Sequence, residues 1–339
     1  MAWETASSLL QRRSQQRMWL STGCERLDAV LGGGFRVCGG ITELSGEAGC
    51  GKTQFCLTLS MQVSLPEAKG GLAGAACYMT CGEGRFPVAR LAQLSQCYQQ
   101  CYPDEDIDFL SNVFIEESHN SEDLLDNLRK LVPEMCRQSN VRLLVIDSIA
   151  GMFRTEFDAT NKDQAKLRLA LMYRFAAELR HLADTYSLCV VVVNQVTASV
   201  DQEPLSSLFS GSFGGAKADP VPALGLGWSN CVNTRLMLRR DASSLLGLGG
   251  AGADDLHLLA SPPLDENAYN GFNGVAGGGS GAAAVAVSSA PTPAPASAFP
   301  ALTSTSRRYI IVLFSPLVPC NVPCPYVVTT GGVRSLGSQ

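Results

Sequence analysis

The segment that most restricts how this chain can fold is Gly46-Glu47-Ala48-Gly49-Cys50-Gly51-Lys52-Thr53-Gln54. Gly46 to Thr53 satisfies the spacing G-x-x-x-x-G-K-[ST] at every fixed position. A loop of this kind needs a strand before it and a helix after it. Its glycines let the backbone wrap an anion with N–H groups pointing inward, and the following helix directs its positive end at the same point. Ile41–Leu44 supplies the strand, and a helix opening at Lys52 is expected to run to about Val63. The loop therefore reads as a cradle for nucleotide phosphates, with ATP and Mg²⁺ the expected ligands. Lys52 would reach the outer phosphates and Thr53 would offer its hydroxyl to the metal. The alternative is a chance match in a glycine-rich turn, which leaves the flanking strand and helix unexplained.

Beyond this loop, short apolar runs alternate with helical ones. Ala75–Thr80 reads as a strand, Pro87–Gln100 as a helix and Asn112–Glu116 as a strand. Ser121 is expected to cap a helix whose first turn carries Glu122 and Asp123. Val141–Asp147 and Leu188–Val193 are nearly continuous apolar runs, the mark of strands covered on both faces. Between them, Lys162–Tyr186 has Leu167, Leu171, Phe175, Leu179 and Leu182 at helical spacing. Strands alternating with helices predict an α/β fold with a mostly parallel central sheet flanked by helices.

Residues 241–306 interrupt the alternation. They are rich in Gly, Ala, Ser and Pro, hold five acids and lack Lys and Arg. Such a stretch cannot bury enough apolar surface to offset its ordering entropy, so it is expected to be a disordered insertion. The remaining 26 acids balance 26 bases, which gives no strong nucleic-acid footprint by itself. Strands are expected to resume at Tyr309–Phe314 and Tyr326–Thr330, joined by a connection with four prolines. The expected organisation is a linker over 1–20, a core over 21–240 and 307–335, and the insertion between. The 13 cysteines form no C-x-x-C pair. Cys77/Cys81, Cys97/Cys101 and Cys320/Cys324 stand four apart without histidines to complete a zinc pattern. Free thiols in a reducing compartment, nucleus or cytosol, are the expectation. No apolar run approaches the roughly 20 residues that span a bilayer, and no secretory leader is evident.

Three further positions carry candidate chemistry. Asp147 ends a buried strand about 95 residues after the phosphate loop, where a carboxylate can hold Mg²⁺ through water. Glu83, in Gly82-Glu83-Gly84, is either a water-polarising carboxylate or a solvated loop residue. Asn194-Gln195 ends another strand, either sensing the terminal phosphate or capping the strand end.

Taken in order, these pieces resemble the RecA/RadA-type recombinase family. The resemblance extends to Leu20–Leu31, Gly39–Leu44, Gln54 and Gly82-Glu83-Gly84-Arg85-Phe86. It covers about residues 3–240 and 307–335. Pro222–Leu236, with Trp228, Asn230, Asn233 and Arg235, looks more like a eukaryotic paralogue than the strand-exchange recombinase itself. The helical N-terminal domain usual in the family is not found in this sequence; either it was lost or the sequence begins late. The resemblance implies a RecA-like ATPase core in which Glu83, Lys52 and Gln195 act in catalysis. Glu83 lies one residue further from its strand than in the recombinase. It also implies that Arg90 stacks on adenine and that a neighbouring subunit completes the nucleotide site through the loop around Ser315-Pro316. The recombinase has an Asp before that Ser-Pro, and this chain has Phe314. Trp3-Glu4-Thr5-Ala6 is similar to the family's aromatic-x-x-Ala motif, which implies that Trp3 and Ala6 fill pockets on a neighbour while the segment adds a strand to its sheet. A frayed terminus is the other reading.

The loops that would touch DNA are poor in positive charge. The first is expected at about Glu156–Gln164 with Lys162, beside Arg154. The second is expected at Thr197–Ala223, with Lys217 against Asp201, Glu203 and Asp219. Few phosphates would be neutralised, so single-stranded or branched DNA is expected to bind weakly to the chain alone. Phe209 and Phe213 either stack on bases or pack on the protein. The implied function is an ATP-binding, DNA-dependent ATPase subunit of a recombinase-paralogue complex in homologous-recombination repair of double-strand breaks. Its partners would be other paralogues or the recombinase, and its place the nucleus, with the cytoplasm as a second compartment. Two alternatives stand beside it: a non-hydrolysing adaptor clamped by ATP, and a RecA-fold ATPase unrelated to recombination.

Overall fold

In the computed structural model, the strand that leads into the phosphate loop lies in the middle of a large sheet. The structure describes residues 5–8, 19–81, 85–157, 161–197, 221–240 and 308–335. A small antiparallel pair, β1 (Trp19–Leu20) and β2 (Phe35–Arg36), encloses α1 (Glu25–Val30). There follow β3 (Ile41–Gly46), α2 (Lys52–Gln62), β4 (Ala75–Cys81), α3 (Val88–Cys101), β5 (Val113–Ser118) and α4 (Ser121–Ser139). The chain continues through β6 (Val141–Asp147), α5 (Ile149–Glu156), α6 (Lys162–Tyr186) and β7 (Cys189–Thr197). It closes with β8 (Val221–Pro222), α7 (Gly225–Ser229), β9 (Thr234–Arg239), β10 (Arg308–Phe314), β11 (Pro323–Thr329) and β12 (Gly332–Ser335).

The sheet order is β12-β11-β10-β9-β3-β7-β6-β4-β5, with β8 added to β7. From β9 to β5 the strands run parallel, and β10, β11 and β12 are antiparallel. The expected α/β sheet with crossover helices is the observed architecture. Alternate residues of the parallel strands feed two cores, one on each face. Leu143, Val145, Val191 and Val193 pack with α1, α2 and α3. Leu144, Ile146, Val190 and Val192 pack with α4, α5 and α6. Burial on both faces is why these strands read as apolar runs rather than alternating ones.

Several expectations need correction. Ser121 is not the cap of its helix: Asn120 is, its side chain accepting the amide of Asp123. The longer amide side chain reaches the third amide and leaves Ser121 as the first helical residue. Leu167 is not buried with Leu171, Phe175, Leu179 and Leu182; it is 55% exposed, on first turns of α6 that are exposed up to Ala170 apart from the half-buried Arg168. Both ends of the expected first DNA loop are helical. Residues up to Glu156 belong to α5, and α6 already starts at Lys162 because Asn161 caps the amides of Asp163 and Gln164. The strands β9 and β12 and the β1–β2 pair have no counterpart among the expected elements. The expected insertion, Trp3, Glu83, Phe209, Phe213 and Lys217 lie outside the described residues.

Candidate nucleotide-binding site

Gly46 ends β3 with a φ of 153°, where a Cβ would collide with the Leu238 carbonyl of β9. The close passage of β9 therefore requires glycine at the mouth of the loop. Gly51 takes a φ of 106° as the residue before α2, turning the first amides of that helix into the loop. Lys52 lies over this concavity, its Nζ donating to the carbonyls of Gly46 at 2.7 Å and Glu47 at 2.8 Å. Glu47, Ala48 and Gly49 form the exposed crest, and Cys50 is buried beneath it. The Tyr326 hydroxyl of β11 donates to the Cys50 carbonyl at 2.7 Å and so ties the crest to the antiparallel end of the sheet. Burial pushes the Cys50 thiol up and makes it a poor nucleophile.

Asp147 ends β6 next to this loop. Its Oδ2 accepts a hydrogen bond from Thr53 Oγ1 at 2.7 Å and another from the Tyr78 hydroxyl at 2.6 Å. Tyr78 stands on β4, is almost fully buried, and packs edge-on against Phe86 with ring centroids 4.9 Å apart. Burial, reinforced by Cys56 and Asp147, holds its hydroxyl in the protonated, donating form. A hydroxyl and a carboxylate side by side are hard oxygen donors. Their small number suits Mg²⁺, which keeps several waters and takes its other ligands from phosphate. Among the described residues no cluster of three His, Cys, Asp or Glu side chains offers a competing metal site.

The other expected site residues divide. Gln54 and Arg90 come together: Arg90 Nε donates to Gln54 Oε1 at 2.7 Å, and its Nη atoms donate to the carbonyls of Thr329 and Thr330. Arg90 thus bridges α3 to the β11–β12 turn at the rim of the phosphate loop. Gln195 pairs in register with Gly46 on the adjacent strand, and its Oε1 accepts from Arg154. Beneath both, Glu43 of β3 accepts from Asn194 of β7 at 2.5 Å and from Arg235 of β9. Ala6 is exposed in a helical turn, Ala6–Ser8, in which the Ser8 amide donates to Thr5 Oγ1.

Sequence reasoning missed Tyr78, Tyr326, Arg154 as partner of Gln195, and the Glu43–Arg235 pair. The one aromatic hydroxyl in the mostly apolar strand Ala75–Cys81 is a signal that could have found Tyr78. Tyr326 lies 276 positions from Cys50, and no spacing rule connects them.

The sheet order, the loop between β3 and α2 and the carboxylate at the end of β6 define a RecA-like nucleotide-binding core. The chain belongs to the Rad51 family, whose match covers residues 12–244. It is 38% identical over 250 residues to the DNA repair protein XRCC3 homolog of Arabidopsis thaliana, covering 70% of this chain and 81% of the relative. It is 36% identical over 278 residues to the DNA repair protein XRCC3 of Mus musculus, covering 78% and 77%. The DNA repair and recombination protein RadA of Aeropyrum pernix is 38% identical over 182 residues, 54% of each chain.

Proposed function

We propose that this chain is an ATP-binding subunit of a recombinase-paralogue assembly that acts in homologous-recombination repair, with weak, DNA-stimulated ATP hydrolysis. The observation that carries the reading is the convergence of Lys52, Thr53 and Asp147 at one end of β3 and β6. The names of the relatives, DNA repair proteins and a recombination protein, support its biological setting.

In this reading Lys52 and the loop amides hold the phosphates. Thr53 and Asp147 would hold Mg²⁺, which when bound neutralises charge building up on the phosphates. Gln195 stands one strand away from Gly46, suited to respond to the terminal phosphate. Glu83 would orient the attacking water. Arg90 borders the site as the surface for adenine, although its guanidinium is engaged by Gln54 and two carbonyls.

The neighbour's contribution has its own support. The 315–322 connection lies at the end of the sheet opposite Gly46, since Phe314 pairs with Arg235 while Gly46 pairs with Leu238. Phe314, Leu317 and Val322 are each about half exposed there. Head-to-tail stacking would bring this apolar edge onto the nucleotide of the next subunit, with Trp3 and Ala6 serving the same contact. An apolar Phe314 where the recombinase has an acid favours a second reading, an adaptor that binds ATP without turning it over.

Lys52→Ala should abolish binding of a fluorescent ATP analogue and repair function together, and wild-type repair by that variant would sink the reading. Glu83→Gln separates the two versions. An ATPase loses turnover with this change, and an adaptor keeps its function.

A further inference from the structure

We infer that Tyr78 is a positioning residue for the Mg²⁺ site, acting through Asp147; the inference rests on the nucleotide-binding reading of that site. The geometry is specific. Asp147 Oδ2 takes both hydroxyl bonds, from Tyr78 at 2.6 Å and from Thr53 at 2.7 Å. A hydroxyl that gives its one proton to a carboxylate keeps its lone pairs. The Thr53 oxygen therefore remains able to meet a metal while its proton stays on Asp147. Tyr78 differs, being buried in the sheet and donating from the side of β4. Its bond gives Oδ2 a second anchor, from a sheet strand, which restricts the rotation of the carboxylate about its Cβ–Cγ bond. Oδ1 would then face, in one orientation, the water of a bound Mg²⁺.

Without the phenol, Asp147 Oδ2 would be held by Thr53 alone. A carboxylate free to rotate loses alignment with a metal that demands near-octahedral geometry. Phosphate contacts made by Lys52 and the loop amides do not involve Tyr78. Its removal should weaken the metal and leave metal-free nucleotide binding alone. The ring has a separate role, packing on Phe86, which follows the Glu83 segment. Tyr78→Phe removes the hydroxyl and retains that packing.

The test is a titration of the full chain with a fluorescent ATP analogue, in EDTA and across a series of Mg²⁺ concentrations. Tyr78→Phe should raise the Mg²⁺ concentration needed for half-maximal binding roughly tenfold, the range seen when an outer partner of a metal ligand is removed. Its affinity in EDTA should match wild type. In an Asp147→Asn background the same change should have no further effect on the Mg²⁺ response. A Tyr78→Phe variant with wild-type Mg²⁺ dependence overturns the inference. So does an equal loss with and without Mg²⁺, which marks a structural role. A wild-type chain that binds no nucleotide overturns the functional reading as well, so the two failures are told apart by the wild-type curve.

Discussion

Arg239 and Tyr309 face each other across the antiparallel strands β9 and β10, although 241–307 lie between those strands in the sequence. The long segment therefore leaves and re-enters the fold at the tip of one hairpin. An ordinary turn can join strands at this separation.

Replacing 241–307 by a short Asn-Gly-containing turn should leave the sheet intact. Loop-closure entropy varies with the logarithm of length, so the shortened chain should gain up to about 2 kcal/mol. Denaturant unfolding of both forms would measure it. A loss of cooperative unfolding in the shortened chain would show that the segment supplies part of the core.

Glu43 is fully buried and its partner Arg235 is 13% exposed. The pair links the strand that carries the phosphate loop to β9. Removing the cation alone leaves a buried carboxylate without a counter-charge, held only by Asn194, which costs about 3–5 kcal/mol. Arg235→Ala should be destabilised by that amount, and adding Glu43→Gln should recover part of it. Denaturation midpoints of the two single variants and the double give the coupling directly. Additive effects would mean that the pair contributes nothing beyond its separate residues.

These two relationships mark the limit of what was legible in the sequence. Val141–Asp147 and Lys162–Tyr186 were readable to the residue because burial on both faces and helical periodicity leave local signatures. The phosphate loop was readable because its chemistry requires fixed spacing within eight residues. β9 was not, since Thr234–Arg239 mixes arginines with apolar residues and its arginine is tolerated only because Glu43 waits on a strand 192 positions away. Tyr326 and Arg154 were likewise hidden. Their roles depend on which strand ends and helices meet, and that is set by sheet order rather than by neighbours in the chain.

Cys77 and Cys81, both buried on β4, give the fold an alkaline limit. Burial pushes each thiol from 9.0 up to about 12, helped by Cys136 and Glu116 at the first and by Asp147 at the second. The unfolded chain releases these protons near its ordinary thiol range, whereas the folded chain keeps them. Between those values the native state binds more protons, so stability falls as pH rises. Below the lower value both states are protonated and these thiols contribute no pH dependence. Denaturant midpoints should therefore stay level near neutrality with respect to these groups and decline above pH 9.0. A Cys77→Ala, Cys81→Ala chain should decline less steeply, and an unchanged slope would assign the alkaline loss to other groups.

Arg154 offers the last test. Arginine only donates, so its contact with Gln195 fixes the amide oxygen toward α5 and turns the amide nitrogen away. That nitrogen is a donor, and a phosphate oxygen is an acceptor. In the proposed reading this contact would orient Gln195 for a terminal phosphate while linking it to the start of the expected first DNA loop. Arg154→Ala frees the amide to flip, so half of its orientations would present oxygen to phosphate. Nucleotide binding, which in the proposed reading rests on Lys52 and the loop amides, should change by less than about fivefold, because one exposed hydrogen bond contributes about 1 kcal/mol or less. Discrimination between ATP and ADP should fall, and Gln195→Ala should reproduce the loss without adding to it in the double variant. Competition binding with both nucleotides reads this out. Full discrimination in Arg154→Ala would mean that Gln195 orients itself without the guanidinium.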